Sequence, residues 1–161
     1  MRKTILLTFL IITLTSPAAL ARGSANKTLG LGVNLGEPIG YSARFFFLDQ
    51  FSADLIVGYG FAEESFAIQP SLLFHLRDIL DYDDEKFSLV PYFGAGLKTG
   101  IDMAGRRDGQ GIAALRFPVG ASFFLENGAF EISLEFAPGV EFTPTTGFDG
   151  TGGIGLRYYF F

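Results

Sequence analysis

Apolar residues alternate with small or polar residues over most of this chain, and eight segments follow a period of two, which is typical of β-strands. In the last segment, isoleucine, leucine, tyrosine and phenylalanine share one face, and glycine, Arg157 and Tyr159 share the other. The predicted strands are Thr28–Leu35, Ile39–Phe47, Phe51–Phe61, Phe66–Leu76, Phe87–Thr99, Ile112–Leu125, Phe130–Phe136 and Ile154–Phe161.

Two arrangements are compatible with this alternation. A soluble sandwich or lipocalin-like barrel would bury the apolar face and leave the charged residues in water. That arrangement does not explain why so many glycines share the polar face, because glycines fill a core poorly. A membrane-spanning barrel reverses the two faces, and an even number of strands of about nine or more residues suits it. The sequence therefore predicts an all-β, eight-stranded, antiparallel, transmembrane up-and-down β-barrel.

The predicted inner face carries charges of both signs. A buried charge is costly unless it is paired, so we expect a connected network of ion pairs along the interior. Glu131 and Glu135 lie four residues apart on one strand, and Arg116 and Arg157 lie on the strands that flank it. A proton or ion pathway is the alternative use of these groups. The seven predicted members are Arg44, Asp54, Lys98, Arg116, Glu131, Glu135 and Arg157.

The amino-terminal segment has the pattern of a secretory signal peptide. Arg2 and Lys3 precede an apolar run from Ile5 to Leu14, and Ala19-Leu20-Ala21 forms a small-x-small cleavage site. The run is shorter than the roughly 20 residues of a spanning helix. We therefore expect residues 1–21 to be removed and residues 22–161 to form the barrel.

Composition narrows the function classes further. Without residues 1–21, which contain Arg2 and Lys3, the chain has 10 Lys and Arg against 17 Asp and Glu, a net charge of −7. This balance argues against nucleic acid as a partner, because phosphate binding needs a basic patch. The chain has no cysteine, which excludes disulfides, a thiolate nucleophile and Cys-ligated metal.

The connections alternate between the two ends of the predicted barrel. The loops Gly36–Pro38, Ala62–Ser65, Gly100–Gly111 and Thr143–Gly150 are predicted at the outer end, and Leu48–Gln50, Arg77–Lys86 and Glu126–Ala129 at the periplasmic end. The connection 77–86 is acidic, but it lacks the spacing of an EF-hand loop, so a solvated turn is favoured over a Ca²⁺ site. The predicted charged surface of the outer loops comprises Glu63, Glu64, Asp102, Arg106, Arg107, Asp108 and Asp149.

Enzymatic chemistry has little support in the residues. His75 is the only histidine, and Ser71 on the same predicted face lies roughly 13 Å away at the rise of a strand. Ser88 on the adjacent strand is the other candidate nucleophile for His75. A single histidine also argues against a zinc site. We therefore expect no catalytic residues, no metal and no cofactor.

Three aromatic and glycine-rich stretches carry a resemblance to a known family. They are Pro91-Tyr92-Phe93-Gly94-Ala95-Gly96, Phe117-Pro118-Val119-Gly120 and Gly152-Gly153-Ile154-Gly155-Leu156-Arg157-Tyr158-Tyr159-Phe160. Together with the strand pattern over residues 27–161, they resemble the small OmpA/OmpX-type outer-membrane proteins with short loops and no periplasmic domain. The resemblance implies insertion into a bacterial outer membrane by the barrel-assembly machinery, with Tyr158, Phe160 and Phe161 as the carboxyl-terminal signal.

The resemblance implies architecture more than activity. We expect the outer-membrane lipids to be partners, together with the assembly machinery during insertion and an extracellular protein ligand at the outer loops. The expected role is structural or adhesin-like, with an interior filled by side chains. A narrow channel for small solutes or ions, lined by the inner charges, is the alternative.

Overall fold

The computed structural model describes residues 28–62, 64–77, 83–84, 87–103, 109–125 and 128–160. These residues contain strands and connections and no helix. In this part of the chain, accordingly, there is no helix long and apolar enough to cross a membrane. The predicted signal peptide, residues 1–21, and Phe161 lie outside the described residues.

The described residues form ten strand segments. They are β1 (Leu29–Glu37), β2 (Ile39–Leu48), β3 (Phe51–Gly60), β4 (Ser65–His75), β5 (Asp83–Asp84), β6 (Phe87–Asp102), β7 (Gly111–Arg116), β8 (Val119–Leu125), β9 (Phe130–Thr143) and β10 (Gly147–Tyr159).

The strands form one antiparallel sheet that returns on itself, because β10 pairs with β9 on one side and with β1 on the other. The pair β7 and β8 occupies one position between β6 and β9, interrupted at Pro118, which has no backbone N–H. Backbone bonds continue across the interruption: the Phe117 N–H donates to the Pro138 carbonyl at 2.8 Å, and the Gly94 N–H donates to the Pro118 carbonyl at 2.8 Å. The short β5 pairs only with β6, so the described chain forms a ring of eight strands.

The ring closes with a stagger. Starting from Gly30, the residues paired in turn are Arg44, Asp54, Ser71, Gly96, Arg116, Gly139 and Asp149. The partner of Gly30 on β10 is, however, Tyr159, ten residues after Asp149. For eight strands, a stagger of this size tilts the strands by about 40° from the axis of the ring.

The two faces of the sheet differ sharply in polarity. Charged side chains point into the ring and are buried, with Arg44 at 0% exposure, whereas outward apolar side chains such as Leu134 are 64% exposed. This is the reverse of the arrangement expected of a soluble protein core. The all-β, antiparallel part of the prediction is confirmed, and the inner and outer faces are those that the alternation predicts.

Several strands are longer than predicted. The last strand begins at Gly147, not Ile154, and β9 continues from the predicted end at Phe136 to Thr143. Likewise, β1 includes Gly36 and Glu37, and β6 includes residues 100–102. The predictions placed glycine-rich stretches in loops, but these glycines are paired in the sheet.

Part of the acidic connection 77–86 is described. Its residues Asp83 and Asp84 pair with Ser88 and Phe87, and residues 78–82, 85 and 86 lie outside the described part.

The upper end of the ring is defined as the one with the β1–β2 connection at Pro38, and the lower end as the one with the β2–β3 connection at residues 49–50.

Inner glycines allow close approach of neighbouring strands near the upper end. A Cβ on Gly58 would lie 2.7 Å from the Ile39 carbonyl carbon and 2.9 Å from the Gly40 Cα on the adjacent strand. Near the lower end, a Cβ on Gly30 would lie 2.6 Å from the ring of Tyr159. Glycine therefore serves two purposes, close contact of neighbouring strands and space for large inner side chains.

This close approach gives a direct test. We expect Gly58→Ala to lower the free energy of unfolding by about 1–3 kcal/mol, because the added methyl overlaps the backbone of β2. The matched control is Gly111→Ala, since a Cβ at Gly111 has no neighbour within 4 Å, and it should change stability by less than about 0.5 kcal/mol. Urea unfolding followed by tyrosine fluorescence measures both variants. Equal midpoints would show that strand contact at Gly58 is not a constraint.

Candidate functional site

Four charged side chains meet at the centre of the ring interior. Arg44 on β2 donates from Nε to Asp54 Oδ1 on β3 at 3.0 Å, and from Nη1 to Glu131 Oε1 on β9. Arg157 on β10 contacts both carboxylates, with Nη2 3.4 Å from Asp54 Oδ2 and Nη1 3.4 Å from Glu131 Oε1. All four side chains are at most 4% exposed. Two cations and two anions therefore form a neutral cluster, here called the central tetrad.

Hydroxyl groups donate and accept further hydrogen bonds around the tetrad. Arg157 donates from Nε to Ser42 Oγ at 2.7 Å and from Nη1 to Ser133 Oγ at 2.9 Å. The Ser122 hydroxyl accepts from Arg44 and donates to Glu131, and the Tyr159 hydroxyl donates to Glu131 Oε2 at 2.6 Å. Such additional hydrogen bonds are what make a buried ion pair tolerable, since charged groups taken out of water need all their partners replaced.

Two further ion pairs lie toward the upper end. Arg116 Nη2 lies 2.6 Å from Glu135 Oε1, and the Tyr92 hydroxyl donates to Glu135 Oε2 at 2.9 Å. Lys98 Nζ lies 2.7 Å from Asp149 Oδ1. The seven charged residues predicted from the alternation are thus all inside the ring, and each has a partner of opposite charge. The sequence predicts that Arg116 and Arg157 flank Glu131 and Glu135. In the structure Arg116 pairs with Glu135, whereas Arg157 pairs with Glu131 and Asp54.

Two residues predicted on the outer loops require correction. Asp149 is 2% exposed and binds Lys98, and Asp102 is 7% exposed at the end of β6. Both errors follow from the underestimated strand lengths: β6 continues past its predicted end to Asp102, and β10 begins before its predicted start, so that Asp149 is part of it. Glu64 is exposed, as predicted for a loop. The other loop residues predicted, Glu63, Arg106, Arg107 and Asp108, lie outside the described residues.

An aromatic cluster fills the lower end of the interior. Phe46, Val90, Phe124 and Tyr159 pack together and are at most 3% exposed. The Phe46 ring centroid lies 6.4 Å from that of Phe124 and 6.0 Å from that of Tyr159. The Arg77 guanidinium lies over Phe46 at 5.0 Å and over Phe124 at 5.7 Å, a cation–π arrangement at the mouth of the ring. We call these residues the lower plug.

His75 has a serine partner that the sequence reasoning missed. Ser52 Oγ lies 2.9 Å from His75 Nε2, whereas Ser71 and Ser88 were the predicted candidates. The pairing arises because Ser52 on β3 lies opposite Leu73, two residues from His75 on β4. Both side chains have 0% exposure, and His75 Nδ1 has no hydrogen-bond partner within the described chain. Among the described residues, the pair thus has the distance of a nucleophile and base, but no carboxylate is hydrogen-bonded to His75 to orient it, and both side chains are buried away from a substrate.

Neither metal chemistry nor known relatives add to this picture. In the ranges that the structure describes, no three His, Asp or Glu side chains converge so that they could hold a metal ion. No family model, curated protein or solved structure matches this chain. The resemblance to small outer-membrane proteins therefore stays a prediction.

The central tetrad generates a second prediction. Arg157→Leu leaves Asp54 and Glu131 sharing one cation, and we expect the free energy of unfolding to fall by about 3–5 kcal/mol. Adding Asp54→Asn should recover part of the loss, because a single carboxylate, Glu131, then remains for the single cation, Arg44. Adding Glu135→Gln should recover nothing, since Glu135 pairs with Arg116.

Denaturant titration of the single and double variants measures this coupling, with Glu64→Gln as the exposed control. Equal recovery by Asp54→Asn and Glu135→Gln would contradict the pairing in the tetrad.

Proposed function

We propose that this chain is a membrane-spanning β-barrel of a bacterial outer membrane, with a role in structure or surface interaction and an interior closed by side chains. The observation that carries the proposal is the reversed polarity of the closed sheet. Outward side chains are apolar and exposed, and the charged side chains are buried inside. A closed sheet satisfies its backbone groups internally, as a spanning structure in lipid must.

Aromatic residues on the outer face support the proposal. Near the lower end, they form chains of ring contacts, from Phe47 through Phe51 and Phe74 to Phe93, and from Phe130 through Tyr158 to Phe160. Near the upper end, the outward aromatics are Tyr59, Phe61, Phe66, Phe142 and Phe148. The ten residue steps from Phe51 to Phe61 rise about 25 Å on a strand tilted by about 40°. This matches the height of the apolar band between two aromatic girdles in outer-membrane barrels.

The filled interior supports a structural role. Four cations and four anions are paired across the ring, and the lower plug packs aromatic rings where an open pore would need water. A ring of eight strands has an interior just wide enough for such side chains. The proposed partners are therefore outer-membrane lipids around the ring, the barrel-assembly machinery during insertion, and an extracellular protein at the upper end. No enzymatic activity, cofactor or nucleic acid is part of the proposal.

A narrow channel is the second candidate function. In its favour, both amide atoms of Gln69 and the hydroxyls of Ser71 and Thr151 are buried without a hydrogen-bond partner in the described residues. Gln69 and Ser71 lie on β4, across the ring from Thr151 on β10. Groups of this kind favour internal water, and a chain of water is the minimum that conduction requires.

Insertion into lipid is the first test of the proposal. The chain without residues 1–21, refolded into phosphatidylcholine vesicles, should migrate differently in SDS gels before and after boiling, because the closed sheet resists SDS. Circular dichroism should show β-structure. Equal mobility before and after boiling, together with recovery in the aqueous fraction, would contradict the proposal.

A single substitution separates the membrane from the soluble interpretation. Leu134→Arg places a charge on the exposed apolar face, and in a bilayer it should cost about 2–4 kcal/mol of folding stability. In a soluble protein the same change would be close to neutral. Met103→Arg, also exposed but beyond the end of β6, is the control and should cost less than about 1 kcal/mol.

Conduction distinguishes the two candidate functions. In planar bilayers the refolded protein should show no current steps, because the lower plug and the ion pairs fill the interior. Steps that shrink or vanish in Gln69→Ala or Thr151→Val would replace the structural role with the channel. Steps that are unaffected by both variants would indicate defects in the bilayer.

A further inference from the structure

The wall of the ring does not have the same height all round. Pairing between β1 and β10 ends at Glu37 and Gly152, and β2 begins immediately after Pro38. Strand β10 continues above Gly152 for five residues, 147–151, which pair with β9 alone. We call the space above Pro38, between these five residues and the upper end of β3, the notch. It leaves about 17 Å of strand edge uncovered on β10.

The turn below the notch satisfies the edge on the β3 side. Glu37 Oε2 accepts hydrogen bonds from the backbone N–H groups of Phe61 at 3.1 Å and Ala62 at 3.2 Å. Both residues follow the end of β3, where β2 no longer provides a neighbouring strand. The β3 side of the notch is therefore capped by a side chain of the same turn.

The edge on the β10 side has no such cap. The Phe160 N–H donates to the Leu29 carbonyl on the β1 side, and the Tyr159 N–H donates to the Ala129 carbonyl on the β9 side. Because backbone groups alternate in direction along a strand, the even-numbered residues Phe148 and Gly150 point their N–H and C=O groups into the notch. Within the described residues, no hydrogen bond reaches these notch-facing groups. Unpaired strand edges of this kind are templates for another strand.

The side chains along this edge indicate which sequence an added strand would have. Phe148 points outward and is 77% exposed, and next to it Gly150 has no side chain. On the inward side, Asp149 Oδ1 binds Lys98, but Asp149 Oδ2 and Thr151 Oγ1 are buried without a partner in the described residues. Outward positions of an added strand would thus contact an aromatic ring, and inward positions would lie beside oxygen atoms that accept hydrogen bonds.

We infer that the 147–151 edge of β10 binds an extended peptide segment of another protein by strand addition. The favoured segment alternates apolar residues, which cover Gly150 and contact Phe148, with lysine or hydroxyl residues, which donate to Asp149 and Thr151. Main-chain hydrogen bonds to Phe148 and Gly150 supply affinity, and the alternation supplies specificity. The inference rests on the proposed surface-interaction role and names the chemistry of the partner.

The probe is a fluorescein-labelled, acetylated heptapeptide of alternating leucine and lysine, and its binding is measured by anisotropy. The protein is the chain without residues 1–21, refolded in detergent and shown by its gel shift on boiling to be folded. The matched peptide replaces lysine by glutamate and should bind at least about tenfold more weakly, since it places carboxylates beside Asp149.

Backbone methylation provides the sharper control. N-methylation of the leucine amides and N-methylation of the lysine amides block opposite edges of the same peptide. Only the set that faces β10 should weaken binding, by about tenfold or more for two lost hydrogen bonds. On the protein side, Gly150→Pro removes the notch-facing N–H and should weaken binding similarly, while Phe148→Ala, which keeps its N–H, should weaken it less.

Equal effects of the two methylations, or no binding by protein that shows the gel shift and inserts into vesicles, would overturn the inference and leave the proposed function intact. Failure of the chain to insert would overturn both.

Discussion

A charge enclosed in a narrow interior must have an opposite charge within hydrogen-bonding distance, and this constraint governs the whole structure. The central tetrad joins β2, β3, β9 and β10, and the contact from Arg44 to Glu131 crosses the ring between strands that are not neighbours. The closed sheet brings these groups together, and their pairing in turn makes its interior stable. Loss of one partner therefore acts on the ring as a whole, because the cost of an uncompensated buried charge cannot be relieved by solvent.

The stagger of the ring determines which charges meet. Lys98 and Asp149 lie on strands separated by two positions in the sheet, yet their side chains are 2.7 Å apart, because each step around the ring raises the paired residue along the axis. The buried aromatic cluster of Phe46, Phe124 and Tyr159 lies at the lower end of this staggered interior. Glycines such as Gly30 and Gly58 permit this arrangement, since larger residues there would overlap a neighbouring strand or the Tyr159 ring.

Much of the fold could be predicted from the sequence, because a period of two assigns each residue to a face without knowledge of its partners. All seven predicted inner charges are inside the ring for that reason. Which side chains pair with one another inside the ring could not be predicted in the same way. The pairing of Arg157 with Asp54, or of Ser52 with His75, depends on register and stagger, which no single strand contains. Asp149 was missed because the glycine-rich stretch 147–153 has the composition of a loop, although in the sheet Asp149 and Thr151 occupy inward positions on either side of Gly150.

The two ends of the ring have different capacities for interaction. The lower end is filled by the packed rings of Phe46, Phe124 and Tyr159, and the Arg77 guanidinium lies over Phe46 and Phe124. The upper end is uneven, because the connection between β1 and β2 is a single residue while β10 continues past it. The Glu37 carboxylate compensates for the short turn on the β3 side, where it accepts hydrogen bonds from the Phe61 and Ala62 N–H groups. A short β1–β2 turn therefore has two consequences: it connects the two strands with one residue, and it leaves residues 147–151 of β10 with β9 as their only neighbouring strand among the described residues.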